Sequence, residues 1–235
     1  MSGQGMLGYG PDEIQAILLS VKVGFWAMTL SLPLGILTAY ALARWNFPGK
    51  SLLNGLVHLP LILPPVVTGY LLLLLFGPAG PMGRLLANFG ISVAFKWTGA
   101  VLAAAIMGFP LLVRALRLSF ELIDPKLERA ASTLGASPFW VFCTVTLPLA
   151  LPGVIAGMVL AFAKAIGEFG ATITFVANIP GETQTLPSAI YAFLQVPGAE
   201  TAAIRLVIIS VLISFAALLL SEALNRRLAK RLATT

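Results

Sequence analysis

The chain has 235 residues, of which 58% are hydrophobic and only 10% are charged. A soluble domain usually carries about a quarter of charged residues, so lipid must replace the polar shell that a soluble protein of this length needs. The formal net charge of +6 comes from basic residues beside apolar segments, which is typical of membrane proteins and argues against a nucleic-acid partner. Cys143 and His58 are the single residues of their types. We therefore predict no disulfide framework, no metal site and no catalytic residue.

Five segments are long and apolar enough to cross a bilayer as helices, which takes about 20 residues each. They cover residues 14–43, 52–76, 98–118, 147–176 and 202–224. The predicted fold class is an all-α polytopic membrane bundle of five transmembrane helices. The count becomes six if residues 163–177 form a separate re-entrant piece. We divide the chain into an extracytoplasmic N-terminal segment (1–13), a transmembrane domain (14–224) and a short basic cytoplasmic tail (225–235).

Lysine and arginine are concentrated in the loops on one side of the predicted spans. That side carries Arg44, Lys50, Arg114, Arg117, Lys126, Arg129, Arg226, Arg227, Lys230 and Arg231. On the other side, Arg84 and Lys96 lie between the second and third spans, and residues 178–200 contain neither lysine nor arginine. By the positive-inside rule, we expect the N-terminus outside and the C-terminus in the cytoplasm.

Prolines interrupt these spans, and each removes a backbone donor and kinks its helix. They are Pro33, Pro60, Pro64, Pro65, Pro110, Pro148 and Pro152. In lipid, the freed carbonyls must be satisfied by neighbouring helices or by a water-filled cavity. This pattern fits a bundle that lines a pathway, and simple bundle packing explains it too. Gly153 and Gly157 form a small-xxx-small face, which is mainly a packing signal.

The loop between the third and fourth spans is predicted to form a helix, a turn and a second helix. Asp124 before Pro125 suits an N-cap with proline at the first helical position, and Gly135 suits a left-handed C-terminal stop. The first helix is amphipathic, with a face that is either free to dock or rests on lipid. The apolar residues of this face are Leu127, Ala130, Ala131 and Leu134.

This loop, with Leu147-Pro148 a fixed distance further on, resembles the EAA loop of ABC importer permeases. In that family the loop plugs into a groove of the ATPase subunit. Arg129 stands where the family commonly has glutamate, and Glu128 lies one residue earlier. It therefore stays open whether Glu128 makes the acidic contact with the ATPase. The candidate coupling residues are Glu128, Arg129, Ala130, Ala131, Leu134, Gly135 and Ala136.

The chain shows no nucleotide-binding motif of its own. Residues 47–51 (FPGKS) look like the end of a phosphate-binding loop, but Arg44 stands where that motif requires glycine. The resemblance implies that ATP and magnesium bind to a separate ATPase subunit. We therefore expect a transport subunit that is not an enzyme and holds no cofactor. Symmetry favours two permeases with two ATPases.

A polar, glycine-rich run follows in the fourth span. Lys164 and Glu168 are four residues apart and can neutralise each other, as a structural ion pair or as part of a gate. Thr172, Thr174 and Asn178 could hydrate a polar solute or bond to neighbouring helices. The candidate pathway residues are Lys164, Glu168, Phe169, Gly170, Thr172, Thr174 and Asn178.

Taken with its continuation through residues 179–187 (IPGETQTLP), this run resembles the molybdate-type permeases of the ABC importers. Residues 47–50 (FPGK) and 59–70 (LPLILPPVVTGY) agree with that resemblance. It implies that residues 14–224 are an ABC type-1 permease domain in the cytoplasmic (inner) membrane. It also implies a homodimer, an extracytoplasmic protein that captures a tetrahedral dianion, and a pair of ATPases.

The spans offer few positive charges beyond Lys164 to offset the desolvation of a dianion. We therefore expect the binding protein to select the ion and this chain to provide a weakly binding path that also passes tungstate. One alternative is a sulfate or thiosulfate permease. Two others are an intramembrane enzyme, which would need paired acids or a metal cluster, and a passive channel, which would not need the docking loop.

Overall fold

The computed structural model describes residues 10–232, without the side chains of residues 225 and 227–232. Residues 1–9 of the predicted N-terminal segment lie outside the described residues. The charged side chains predicted for the C-terminal tail also lie outside them, except that of Arg226. The regular secondary structure of the described residues is helical. Its helices are α1 (Pro11–Arg44), α2 (Lys50–Ile62), α3 (Pro65–Phe76), α4 (Pro81–Ala87), α5 (Trp97–Leu122), α6 (Pro125–Thr133), α7 (Pro138–Val141), α8 (Leu147–Ile166), α9 (Gly170–Val176), α10 (Leu186–Leu194) and α11 (Glu200–Leu232).

Four of the described helical stretches are long and apolar enough to cross a membrane. They are α1, α5, the continuous run Pro138–Ile166 and the first part of α11, Glu200–Leu224. The run Pro138–Ile166 contains a π-helical turn, Phe142–Thr146, between α7 and α8. The bent pair α2–α3 makes a fifth span if it is counted as one. The predicted all-α membrane bundle is thus confirmed.

The second predicted span, 52–76, is not one straight helix. It bends by 113° between α2 and α3. Pro64 and Pro65 lie at the bend, and neither can donate the backbone hydrogen bond that would continue the helix. The fourth predicted span, 147–176, is divided as well, because α8 ends at Ile166 and α9 begins at Gly170.

The centre of the bundle consists of α1, α5 and α8. A Cβ atom at Gly153 of α8 would collide with the hydroxyl of Ser119 on α5, and one at Gly157 would press against Leu112. Lipid tails are as apolar as these side chains, so helices in a membrane gain more from close approach than from burial. The predicted packing role of the two glycines is therefore confirmed.

An ion pair that the sequence analysis missed joins the first and last long helices. Arg205 on α11 donates from Nε to Oε1 of Glu13 and from Nη2 to Oε2, both at 2.9 Å. Nearby, the Ser20 hydroxyl accepts from the backbone N–H of Leu186 at 2.6 Å, which fixes the start of α10 against α1. An arginine inside an apolar span was the available signal, because such a charge needs a partner.

Candidate functional site

The predicted helix, turn and helix are present in residues 124–140, which we call the α6 loop. The Asp124 carboxylate accepts from the backbone N–H of Lys126 at 2.9 Å and so caps α6, with Pro125 in the first turn. Gly135 follows the helix with φ +89°, a conformation that side chains rarely adopt. Ser137 then caps α7. Local capping therefore sets both helix starts.

The α6 loop exposes several large apolar side chains. Leu134 is 89% exposed, Phe139 72% and Trp140 62%, and Leu127 is about half exposed at 49%. Of the other residues on the predicted apolar face, Ala130 is exposed and Ala131 is half-buried. A contiguous exposed apolar patch commonly marks a surface that binds a protein or a membrane.

The inner surface of α6 is polar at one position, Glu128. Its Oε1 atom accepts from the Thr146 hydroxyl at 2.8 Å and from Arg44 Nη2 at 3.3 Å. Arg44 Nη2 also donates to the carbonyl of Ile123 at 2.9 Å. These bonds link α6 to the end of α1, to the end of α5 and to the π turn before α8. Within this chain, the Glu128 carboxylate therefore contacts α1 and the π turn.

Arg129, at the position where the family commonly has glutamate, is exposed. Its Nε atom bonds to the Pro125 carbonyl of its own helix at 3.4 Å. Ala136 is half-buried beyond the Gly135 turn. The two charged candidates of the loop therefore point to different environments, Glu128 towards the bundle and Arg129 away from it.

Aromatic rings pack under the Glu128 contacts. Tyr40 on α1 lies edge-on to Phe120 of α5 and to Phe142 of the π turn, with ring centroids 5.6 and 5.1 Å apart. The Thr146 side chain is fully buried at the end of the same turn. π-helical turns inside α-helices are rare and often lie at functional sites.

The predicted ion pair of the polar segment (residues 164–178) is present, with Lys164 Nζ 2.6 Å from Glu168 Oε2. The second carboxylate oxygen, Oε1, accepts from the backbone N–H of Ala171 at 2.9 Å, so Glu168 also caps the start of α9. The side chain of Glu168 is 1% exposed and that of Lys164 29%. Both oxygens of this buried carboxylate are thus used within the segment.

The threonines of the polar segment bond to their own backbone. Thr172 donates to the Phe169 carbonyl at 2.9 Å, and Thr174 donates to the Gly170 carbonyl at 2.7 Å. Asn178 makes a long contact of 3.5 Å from Nδ2 to the Ser188 carbonyl. The structure thus directs the two threonine hydroxyls to local carbonyls instead of to neighbouring helices.

Two glycines allow α3 and α9 to cross closely. A Cβ atom at Gly69 would lie 2.5 Å from the Ala171 carbonyl oxygen, and one at Gly170 would lie 2.8 Å from Pro65 Cβ. The ring of Phe169 packs on Tyr191 of α10, with centroids 5.3 Å apart. The polar segment therefore joins α8 to the bent α2–α3 pair and to α10.

A cavity of about 640 Å³ lies between α1, α2 and α5. Its wall is apolar apart from Ser31 and Thr98, and it includes none of the seven pathway candidates. An apolar wall of this kind does not replace the hydration shell of a dianion.

The spans carry other positive charges besides Lys164. They include Arg205, paired with Glu13, and Lys22, whose Nζ lies 3.6 Å from the ring centroid of Trp97. Lys22 was missed although it lies inside the first predicted span.

The fold and the α6 loop together define a multi-pass membrane protein with exposed apolar side chains on the loop between two of its spans. Residues 31–230 match the family described as "Binding-protein-dependent transport system inner membrane component". The chain belongs to this family, whose members are membrane components of binding-protein-dependent transport systems.

Relatives cover nearly the whole chain. It is 58% identical over 221 residues to the molybdenum transport system permease protein ModB of Haemophilus influenzae, covering 94% of this chain and 96% of that protein. It is 60% identical over 215 residues to ModB of Escherichia coli K12, covering 91% and 94%. The sulfate transport system permease protein CysT of E. coli K12 is more distant, at 36% identity over 220 residues, covering 92% and 79%.

Two solved structures of ABC transporters share this fold. A bacterial ABC transporter involved in the import of the acidic polysaccharide alginate superposes with a TM-score of 0.73 at 18% identity, covering 94% of this chain and 81% of that chain. An inward-facing structure of the MetNI methionine ABC transporter gives 0.70 at 16% identity, covering 97% and 99%. At these identities the likeness establishes the fold.

Proposed function

We propose that this chain is the permease subunit of an ATP-driven importer that passes molybdate, and also tungstate, across the inner membrane. The observation that carries the proposal is the identity of 58% and 60% to two molybdenum transport permeases over nearly the full length of both partners. The identity of 36% to a sulfate permease makes sulfate the second candidate.

In this proposal the α6 loop docks into a separate ATPase subunit, which holds ATP and magnesium. The exposed Leu134, Phe139 and Trp140 support a protein partner at this place, because apolar side chains of this size gain free energy when a partner removes them from water. The loop lies on the cytoplasmic side, as the positive-inside rule predicts. Two copies of the chain with two ATPases form the natural symmetric assembly.

In this proposal the polar segment stabilises the helices beside the translocation path. Lys164 is neutralised by Glu168 at 2.6 Å, and the threonine hydroxyls are occupied by backbone carbonyls. Few groups remain to hold a dianion tightly. We therefore assign the choice of ion to an extracytoplasmic binding protein and the gated passage to this chain.

Uptake of labelled molybdate in cells that lack this chain, and in cells with the chain restored, tests the proposal. We expect restored uptake that excess tungstate blocks and excess sulfate does not. If cells that lack this chain keep normal molybdate uptake but lose sulfate uptake, sulfate would be the transported ion instead. Deleting residues 130–135 should abolish uptake in a pump, whereas a passive channel would keep conducting after the same deletion.

A further inference from the structure

We propose that Glu128 is a positioning residue for energy coupling, which ties α6 to the bundle so that α6, α1 and α8 move together. The proposal rests on the proposed importer function, because it concerns how an ATPase docked on the α6 loop would act on the permease. It assigns to Glu128 a role inside this chain.

The contacts of α6 single out this residue. The hydroxyls of Ser132 and Thr133 bond back to carbonyls of α6 at 2.9 and 2.7 Å, as does Arg129 at 3.4 Å. Glu128 instead reaches Arg44 and Thr146, which are 84 and 18 residues away in sequence. One carboxylate oxygen thus joins three separate elements.

Partial burial strengthens this link. The side chains of Glu128 and Arg44 are 18% and 15% exposed, and charges shielded from water interact more strongly than surface pairs. Arg44 Nε is buried without a partner among the described residues. Removing the carboxylate would therefore leave a largely buried guanidinium with only the Ile123 carbonyl on its Nη2 atom.

The linked elements lead towards the polar segment. Thr146 is the last residue of the π turn, and α8 runs from there to Ile166, beside the Lys164–Glu168 pair. A helix of this length spans about 30 Å. A displacement of α6 that pulls on Thr146 would thus act on a continuous helix whose other end adjoins α9, which packs against α3.

The test uses the whole transporter, with permease, ATPase and binding protein in proteoliposomes, and measures molybdate accumulated and ATP hydrolysed per assembled complex. Glu128→Gln keeps an oxygen that accepts from Thr146 and removes the charge. We expect molybdate accumulated per ATP to fall roughly fivefold, the lower end of the usual range for coupling between sites. ATP hydrolysis should persist, which a merely structural role would not produce.

Glu121→Gln is the matched control. Glu121 pairs with Arg117 four residues away on α5 and is 40% exposed, so its loss should leave the ratio unchanged. Arg44→Glu and Glu128→Arg should each uncouple the transporter, and their combination should restore most of the ratio. Thr146→Val provides a milder variant if Glu128→Gln does not assemble, with a smaller fall expected.

Parallel losses of uptake and hydrolysis, or wild-type ratios in Glu128→Gln and Thr146→Val, would overturn the role of Glu128. Failure of the charge swap to restore any coupling would count against the Arg44 link. A wild-type complex that hydrolyses ATP without accumulating molybdate would instead refute the proposed function, so the two failures are distinguishable.

Discussion

Both carboxylate oxygens of Glu168 have hydrogen-bond partners within the bundle. The side chain is buried, and its two oxygens accept from Lys164 and from the N–H of Ala171. A carboxylate at the N-terminus of a helix is favoured by the unpaired N–H groups there, although α9 is only one to two turns long. The Lys164–Glu168 pair therefore stabilises the backbone conformation between α8 and α9.

We expect Glu168→Ala to lower the free energy of unfolding by about 2 kcal/mol, because the Lys164 charge and the Ala171 N–H both lose their partner. In a chain of this size that corresponds to a Tm about 5 °C lower. Thermal unfolding of the purified permease in detergent measures it. Glu182→Ala, at an exposed position between α9 and α10, serves as the control and should change Tm little. Unchanged stability with lost uptake would indicate a gating role for Glu168.

At the residue scale, the sequence predicts pairs that are local and misses pairs that are distant. Lys164 and Glu168 are four positions apart, and this helical spacing predicted their contact, although Glu168 lies just beyond the end of α8 at Ile166. The partner of Glu128 is Arg44, 84 positions away. Arg44 could be predicted as a loop charge, but only the packing of α1 against α5 brings it to α6.

Close crossings between short helices hold the bent part of the fold together. The α3–α9 contact depends on glycine at position 69, since a Cβ atom there would lie 2.5 Å from a backbone oxygen of Ala171 and 2.8 Å from its Cα. Backbone atoms cannot rotate away as a side chain can. The two helices would have to separate.

Gly69→Ala should therefore destabilise the permease by about 2 kcal/mol or more, as overpacking of a tight contact does. Gly55→Ala is a matched control on α2, because nothing lies within 4 Å of its Cβ position. Alanine there should be neutral, or stabilising by about 0.5–1 kcal/mol, in a helix interior. Melting curves of both variants in one detergent, together with their amounts in the membrane, provide the comparison. Equal stability of the two would contradict the importance of the crossing.

Hydropathy predicted which segments form membrane helices, but it did not predict where those helices bend or end. The apolar run 52–76 is long enough to span a membrane, but hydropathy carries no information on direction. The dipeptide Pro64-Pro65 signalled a break without giving its angle of 113°. The end of α8 at Ile166 depends on Gly167 and on the Glu168 contacts with Lys164 and Ala171, which form only in the folded chain.

The whole molecule has an uneven distribution of charge, from which the positive-inside rule predicts its direction in the membrane. Arg44 and Lys50 flank the loop after α1, and Lys126 and Arg129 lie in the α6 loop, whereas residues 178–200 have no lysine or arginine. Moving a loop rich in lysine and arginine across the membrane is disfavoured, which is the physical content of the positive-inside rule. The Glu13–Arg205 pair would then lie near the outer ends of α1 and α11.

Single-cysteine variants can report this orientation. Cys143 is the only cysteine of the chain, so it is first replaced by serine. Glu182→Cys, between α9 and α10, and Arg129→Cys, on α6, both place the thiol at an exposed position. We expect a membrane-impermeant maleimide to label Glu182→Cys in intact spheroplasts and Arg129→Cys only after the membrane is disrupted. Both should react in detergent, which controls for accessibility. Labelling of Arg129→Cys but not Glu182→Cys in intact spheroplasts would show the opposite topology. The α6 loop would then lie outside, where no cytoplasmic ATPase could dock on it.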